Sequence, residues 1–371
     1  MWYFEKRTIR GKRTVGTQMV DSEHEADGLS LESRLGVFLL KDPTLIERLP
    51  ADQGRRLDKL IEANSLEPLL YRQVEELEVQ NRVTNRRIAS WKMARLCAKA
   101  RATSYRTALD EIVEVTMQEG IALRLLRGTQ VSFQLCEEPE LRPVNGLEIQ
   151  TPPEDAPQLY RALQERGFEA LDDLSSSASH GQGEHHLPSL DREGVTVTIF
   201  KHSCARLPDY DDEPFPMDHH DPQNNPEILR GEPLLTLLIL GIFEQSFCRA
   251  LTSLLDLHRI LGNLQIDWQL VGHIARDLKI EKQFFCVLTM LEELFNSPVD
   301  KKFLAELRSA PCITSHIERV ALPMIRSLSL QYPVPFEEVK AAQAFFSGDE
   351  VAVGASRETQ VLPRLVQRRL R

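Results

Sequence analysis

The chain contains no CxxC pair, no GxSxG elbow and no Walker loop, and its only long apolar run is ten residues, Leu234 to Phe243. Each absence removes a class of function. The six cysteines (Cys97, Cys136, Cys204, Cys248, Cys286, Cys312) stand singly, which argues against a zinc knuckle and a disulfide framework and predicts buried, reduced thiols in a cytoplasmic protein. A ten-residue run that stops at Glu244 is too short to span a bilayer, so no membrane partner is expected. The first twenty residues lack the apolar stretch of a secretory signal. Aromatics are 6% of the 371 residues and apolar residues 42%, the balance of an ordinary helix-leaning globular protein.

Charge is unevenly placed. The net charge is −10, yet residues 1–20 and 357–371 each carry five basic side chains against one glutamate. Each end is therefore +4 and the 336 residues between them carry −18. A body that acidic repels phosphate backbones, which disfavours nucleic acid as a main partner. The tails read as solvated basic termini.

From Leu35 to about Gly120 the apolar spacing is helical: Leu66, Leu69, Leu70, Val74 and Leu77 fall on one face. A long helix from about Ala89 to Glu119 is predicted to end at Gly120. The period then changes. "IALRLLRG", Ile121 to Gly128, reads as a buried strand and a tight turn, with a helix from about Thr129, and "GLEIQT" reads as a second strand. Thr151 as N-cap, Pro152 at N1, Glu154 closing a capping box and Gly167 at the end mark a helix. "SSSASHGQG" is a loop, and "HHLPSL" and "VTVTIFKH" flank the turn "DREG" as a hairpin that turns Val195, Val197 and Ile199 to one face. Beyond an irregular stretch rich in Pro, Asp and His come a helical run from Pro233 to Leu261, a helix capped by Asp267, and further helices to about Ala344.

These elements imply an α+β protein with a small mixed β-sheet domain flanked by N-terminal and C-terminal helical regions. The expected segments are a flexible basic tail at 1–30, a helical lobe at 31–120, the α+β domain at 121–208, an acidic and His-bearing loop at 209–232, a helical bundle at 233–345 and a basic tail at 346–371.

A glycine and a hydroxyl residue at a helix start offer backbone N–H groups to a phosphate. Carboxylates alternating on the following strand project to one side and, with a third from a neighbouring strand, hold two Mg²⁺ ions. The order of motifs resembles the bacterial nucleotidyltransferase family proteins of the polymerase-beta-like superfamily. The resemblance is carried by "ANSLEPLLYRQ" (Ala63 to Gln73), "LRG" (Leu126 to Gly128), "RPVNGLEI" (Arg142 to Ile149), Gly167-Phe168, "LLDLHRIL" around Asp256, and Asp267-Trp268. It implies a nucleotidyltransferase-like fold, an NTP ligand, Mg²⁺ as metal, and Arg127, Gly128, Thr129 and Arg142 as nucleotide-binding residues.

This sequence departs from the pattern where the metals bind. The first metal-binding Asp falls at Gly146, the second at Glu148 and the third at or near Thr198, so Glu148 alone remains as a catalytic or metal-ligating carboxylate, with Asn145 as a neutral oxygen donor. Arg127 and Arg142 can each serve a phosphate or brace a neighbour. Two functional readings stay open: a catalytically weak or silent subunit that binds nucleotide or scaffolds a protein partner, and a transferase moving NMP from NTP to an acceptor with ligands recruited from "DYDDEPFPMDHHD", Asp209 to Asp221. In that loop His219 and His220 lack the helical spacing of a zinc site, and it reads as a solvated acidic segment. His180, His185 and His186 lie near the expected pocket mouth, and His258 reads as a satisfied helix histidine.

Overall fold

The computed structural model describes residues 38–171, 185–203, 226–245 and 249–330, together with residues 35, 215, 217, 247, 338–340, 342 and 346. The two basic tails, His180, most of the Asp209–Asp221 loop, Cys204 and Cys248 lie outside the described residues.

The N-terminal part is helical: α1 (Ala51–Ala63), α2 (Glu67–Glu76) and α3 (Asn85–Glu119). Helix α3 is 35 residues, about 50 Å at 1.5 Å per residue, and stops at Gly120, whose φ of +67° is the left-handed conformation that glycine adopts without steric cost. Its two halves serve different cores. Trp91 packs with α1, α2 and the C-terminal helices, whereas Tyr105, Leu109, Ile112 and Val115 pack against the sheet.

The sheet has five strands in the order β1-β2-β5-β4-β3: β1 (Arg124–Leu125), β2 (Leu147–Gln150), β3 (Glu169–Ala170), β4 (Leu190–Arg192) and β5 (Val195–Phe200). Pairing is antiparallel except between β2 and β5, which run parallel with Glu148 opposite Thr198. The alternation in "VTVTIF" buries Val195, Val197 and Ile199 and turns Thr196 and Thr198 to the opposite face. The hairpin turn is the two-residue pair Glu193-Gly194, both at positive φ (55° and 80°), so Asp191 and Arg192 belong to β4. Asp191 accepts the Gly194 amide at 3.1 Å.

The helix expected from Thr151 begins later. Helix α5 runs Ala156–Glu165 with no side-chain cap, because the Thr151 amide is committed to Phe200 O at 3.2 Å and extends the β2–β5 pairing by one residue. A capping box needs that residue outside the sheet. Gly167 does end the segment, at φ +86°.

The C-terminal bundle comprises α6 (Gly231–Glu244), α7 (Ala250–Asn263), α8 (Trp268–Asp277), α9 (Glu281–Phe295), α10 (Lys301–Arg308) and α11 (Leu322–Ser329). Asp267 caps α8 through the amides of Gln269 and Leu270, as its position predicted. The run from Pro233 to Leu261 is broken: Phe247 and Arg249 take φ values of 62° and 58° between α6 and α7. Phe247 turns inward and is 1% exposed. Burying one such side chain contributes about 1.5–3 kcal/mol, which offsets a left-handed residue. The bundle and the N-terminal helices share one apolar core; the sheet, α5 and the second half of α3 form another.

Cys97, Cys136, Cys286 and Cys312 are free thiols, but of these Cys286 alone is buried as expected: Cys136 and Cys312 are half-buried and Cys97 is exposed. Burial pushes the Cys286 thiol up to about 12 and the Cys136 thiol up to about 11. His258 accepts or donates a hydrogen bond at Ser297 Oγ, 2.9 Å away, and burial followed by the charge of Arg259 lowers its pKa. Among the described residues no helix is long and apolar enough to cross a membrane.

Candidate functional site

Strand β1 ends in a turn that sits against β2. Leu126 donates its amide to Glu148 O at 3.0 Å, and Thr129 Oγ1 accepts the Glu148 amide at 2.8 Å while donating toward Gly146 O at 3.4 Å. Thr129 thus extends the ladder with its side chain, and its hydroxyl is spent largely on the strand. Arg127 at the corner of the turn takes φ +43°, an unfavourable conformation for a residue with a Cβ. The helix that follows, α4 (Arg127–Gln130), is one turn long and passes into a wider turn over Val131–Leu135. The amides of Thr129 and Gln130 both donate to Leu126 O, so these two N–H groups are used internally rather than presented outward.

A cavity of about 340 Å³ opens beside this turn. Arg127, Gly128, Thr129, Arg142 and Glu148 all line it, as do Asn145, Gly146 and Thr198. The far wall comes from α6, α7 and the break between them: Leu238, Gly241, Gln245, Arg249 and Ser253.

Two arginines in the wall are braced by carboxylates from that bundle. Arg142, from the segment before β2, meets Asp256 of α7 with Nε and a terminal nitrogen each 2.8 Å from the same oxygen, and its other nitrogen donates to Pro143 O at 3.2 Å. Arg142 and Asp256 are 8% and 1% exposed, so this is a buried ion pair. Arg127 pairs with Glu244 at the end of α6, stacks over the Phe200 ring at 5.2 Å, and lies 3.7 Å from Glu148. Glycines admit both side chains. A Cβ at Gly128 would lie 2.8 Å from an Arg142 nitrogen, and one at Gly241 would lie 3.1 Å from Arg127 Cδ.

Glu148 faces the cavity from an interior strand, not an edge, and accepts a hydrogen bond from Gln245 Nε2 at 3.3 Å. It is the only carboxylate among the cavity-lining residues that the structure describes. Position 146 has no side chain, and a Cβ there would meet Thr196 O at 3.2 Å. Thr198 Oγ1 is 2.8 Å from Ser189 Oγ. Asn145 is among the lining residues, and its backbone carbonyl accepts from the Tyr105 hydroxyl at 2.9 Å. Among the described residues no group of three or more His, Cys, Asp or Glu could hold a metal ion. Among the described residues the lining offers one carboxylate, Glu148 beside Arg127, where a two-ion centre needs several hard oxygen anions. His185 and His186 are outside the cavity lining; His186 Nδ1 is 2.9 Å from Leu187 O, and the His185 ring lies 6.1 Å from that of His202.

Sequence reasoning missed Arg249. It caps α7 at positive φ, donates to Ser65 Oγ of the N-terminal lobe, and faces the cavity. Its pKa is lowered to about 10, first by burial and then by the neighbouring charges of Arg142 and Arg101. A signal was present: Arg249, Ser253 and Asp256 recur at helical spacing, and a lone Asp inside "LLDL" needs a cation.

No curated protein and no solved structure matches the chain. The model of a family described as uncharacterised nucleotidyltransferase matches residues 50–296, which takes in α1 to α9, the whole sheet and every residue lining the cavity. The chain, with its mixed sheet and its strand–turn–strand cavity, therefore belongs to that nucleotidyltransferase family.

Proposed function

We propose that this protein binds a nucleotide through the arginine-lined cavity and is weak or silent in nucleotidyl transfer, acting as a nucleotide-binding or scaffolding subunit. The observation that carries this reading is the make-up of the cavity lining: Arg127, Arg142 and Arg249 stand with a single carboxylate, Glu148, among the described lining residues, and Gly146 and Thr198 occupy the neighbouring positions. Arginine forks suit phosphate oxygens. Breaking a triphosphate by the two-ion route needs anions to hold the ions, and one glutamate 3.7 Å from a guanidinium is poorly placed to do so.

Calorimetry with ATP, with and without Mg²⁺, tests the reading alongside a search for label transferred from NTP. Binding that survives EDTA with no transfer supports it. Metal-dependent transfer to any acceptor contradicts it and favours the alternative, a transferase that uses Glu148 with ligands from the Asp209–Asp221 loop. In that alternative Glu148→Gln abolishes Mg²⁺-dependent binding.

A further inference from the structure

We propose that Arg249 is the anion anchor of the cavity, the side chain that grips a phosphate group of whatever ligand enters. The identity of the ligand as a nucleotide rests on the reading above; the anchor itself does not.

The three arginines of the cavity lining are not equivalent. Arg127 pairs with Glu244 and has Glu148 at 3.7 Å; Arg142 pairs with Asp256 at 2.8 Å. Arg249 has a hydroxyl, that of Ser65, and among the described residues no carboxylate lies within ion-pairing distance of it. Two cations are already neutralised by close ion pairs, and the third faces the cavity without one, its only opposing carboxylate among the described residues, Glu67, acting from beyond ion-pairing distance.

Against the longer-range attraction of Glu67 and Tyr105, the stronger local influences disfavour a cation here. Arg249 stands at the N-terminus of the 14-residue α7, where the helix dipole repels positive charge. Its φ of 58° is strained for a residue with a Cβ. Its guanidinium is partly buried beside two like charges, Arg142 and Arg101. Breaking so many local rules at one cavity-lining position is the mark of a site that a ligand completes. An anion entering there relieves the burial, the repulsion and the dipole together. Because the other two guanidiniums already meet carboxylates, the match is to one phosphate group at the Arg249 corner rather than to three.

The full chain is titrated with inorganic pyrophosphate and with ATP by calorimetry, as wild type, Arg249→Gln, Arg249→Lys and Ser65→Ala, and each apo protein is melted. The anchor predicts a loss of roughly tenfold or more in affinity for Arg249→Gln, the cost of a charge-assisted hydrogen bond. It predicts partial recovery in Arg249→Lys and unchanged binding in Ser65→Ala. It also predicts an apo melting temperature for Arg249→Gln no lower than wild type, a result that a mere strut to Ser65 would not give. Equal affinity in Arg249→Gln and wild type ends the anchor and leaves the nucleotide reading standing, as does a matched loss of apo stability and binding in Arg249→Gln and Ser65→Ala. Pyrophosphate binding through Arg249 without ATP binding keeps the anchor and ends the nucleotide reading. Wild type that binds neither ends both.

Discussion

Arg142 and Asp256 are 114 residues apart in sequence and share one buried ion pair, with two guanidinium nitrogens 2.8 Å from a single carboxylate oxygen. The pair ties the segment leading into β2 to the C-terminal bundle beside the cavity. Asp256→Ala strands a buried guanidinium and is expected to cost about 3–5 kcal/mol in urea unfolding, whereas the apolar pair Arg142→Met with Asp256→Leu is expected to cost far less. Because Asp256 already meets the Arg142 charge and Arg249 holds the phosphate, the double change should also keep most of the ATP affinity. A large loss of ATP affinity in a stable double variant would show that Arg142 itself grips phosphate.

Gly128 and Gly120 predict different failures. Alanine at 128 would place Cβ 2.8 Å from a guanidinium that Asp256 holds in place, so Gly128→Ala should destabilise by about 1–3 kcal/mol and impair ligand binding. At Gly120 the space is open but φ is +67°, so Gly120→Ala should cost about 1 kcal/mol through the backbone alone and leave binding intact. Paired melting and calorimetry on the two variants checks this. Equal effects on binding would mean that the contact of Gly128 with Arg142 does not shape the site.

Adding acidity to the cavity lining should confer metal dependence. Gly146→Asp with Thr198→Asp places carboxylates at the positions flanking and facing Glu148, since Thr198 is the cross-strand partner of Glu148. The Asp at 146 must push Thr196 O back by a few tenths of an ångström, so the variant is expected to melt lower without metal. Mg²⁺ or Mn²⁺ should then raise its melting temperature while leaving wild type nearly unmoved. A wild type that responds as strongly as the variant would contradict the reading of the site.

His258 gives an acid limb to the stability. Burial, and then Arg259, holds its folded pKa below the unfolded value, so the charged form is disfavoured in the fold. As pH falls below about 6.5 the unfolded chain takes up a proton that the folded chain resists, and stability is lost until the folded pKa is passed. At neutral pH both states are uncharged and nothing is lost. His258→Gln should therefore flatten the melting temperature between pH 7 and pH 5 relative to wild type, a comparison made in one buffer series.

The parts of the site written in contiguous sequence were legible, because a strand, a glycine turn and a second strand are local patterns. Arg127, Gly128, Thr129, Arg142 and Glu148 do converge on one cavity. So were the ends of α3 and α8, where Gly120 and Asp267 satisfy backbone geometry by themselves. Thr151 misled because its local capping pattern competes with a strand 49 residues further on in the chain, whose Phe200 carbonyl takes its amide. The α6–α7 break carries no glycine or proline; it exists because Phe247 turns into the core, a tertiary cause, and it is what brings Arg249 to the cavity. Arg124 was read as part of an apolar strand, yet it is wholly buried and bonded to Glu227, Gln150 and the Phe215 carbonyl, partners up to 103 residues away.

Anomalous scattering from Mn²⁺ in crystals soaked with ATP tests the central claim most directly. The account predicts phosphate density against Arg249 with no pair of manganese peaks beside Glu148. Two peaks about 4 Å apart, bridged by Glu148 and carboxylates from the Asp209–Asp221 loop, would contradict it.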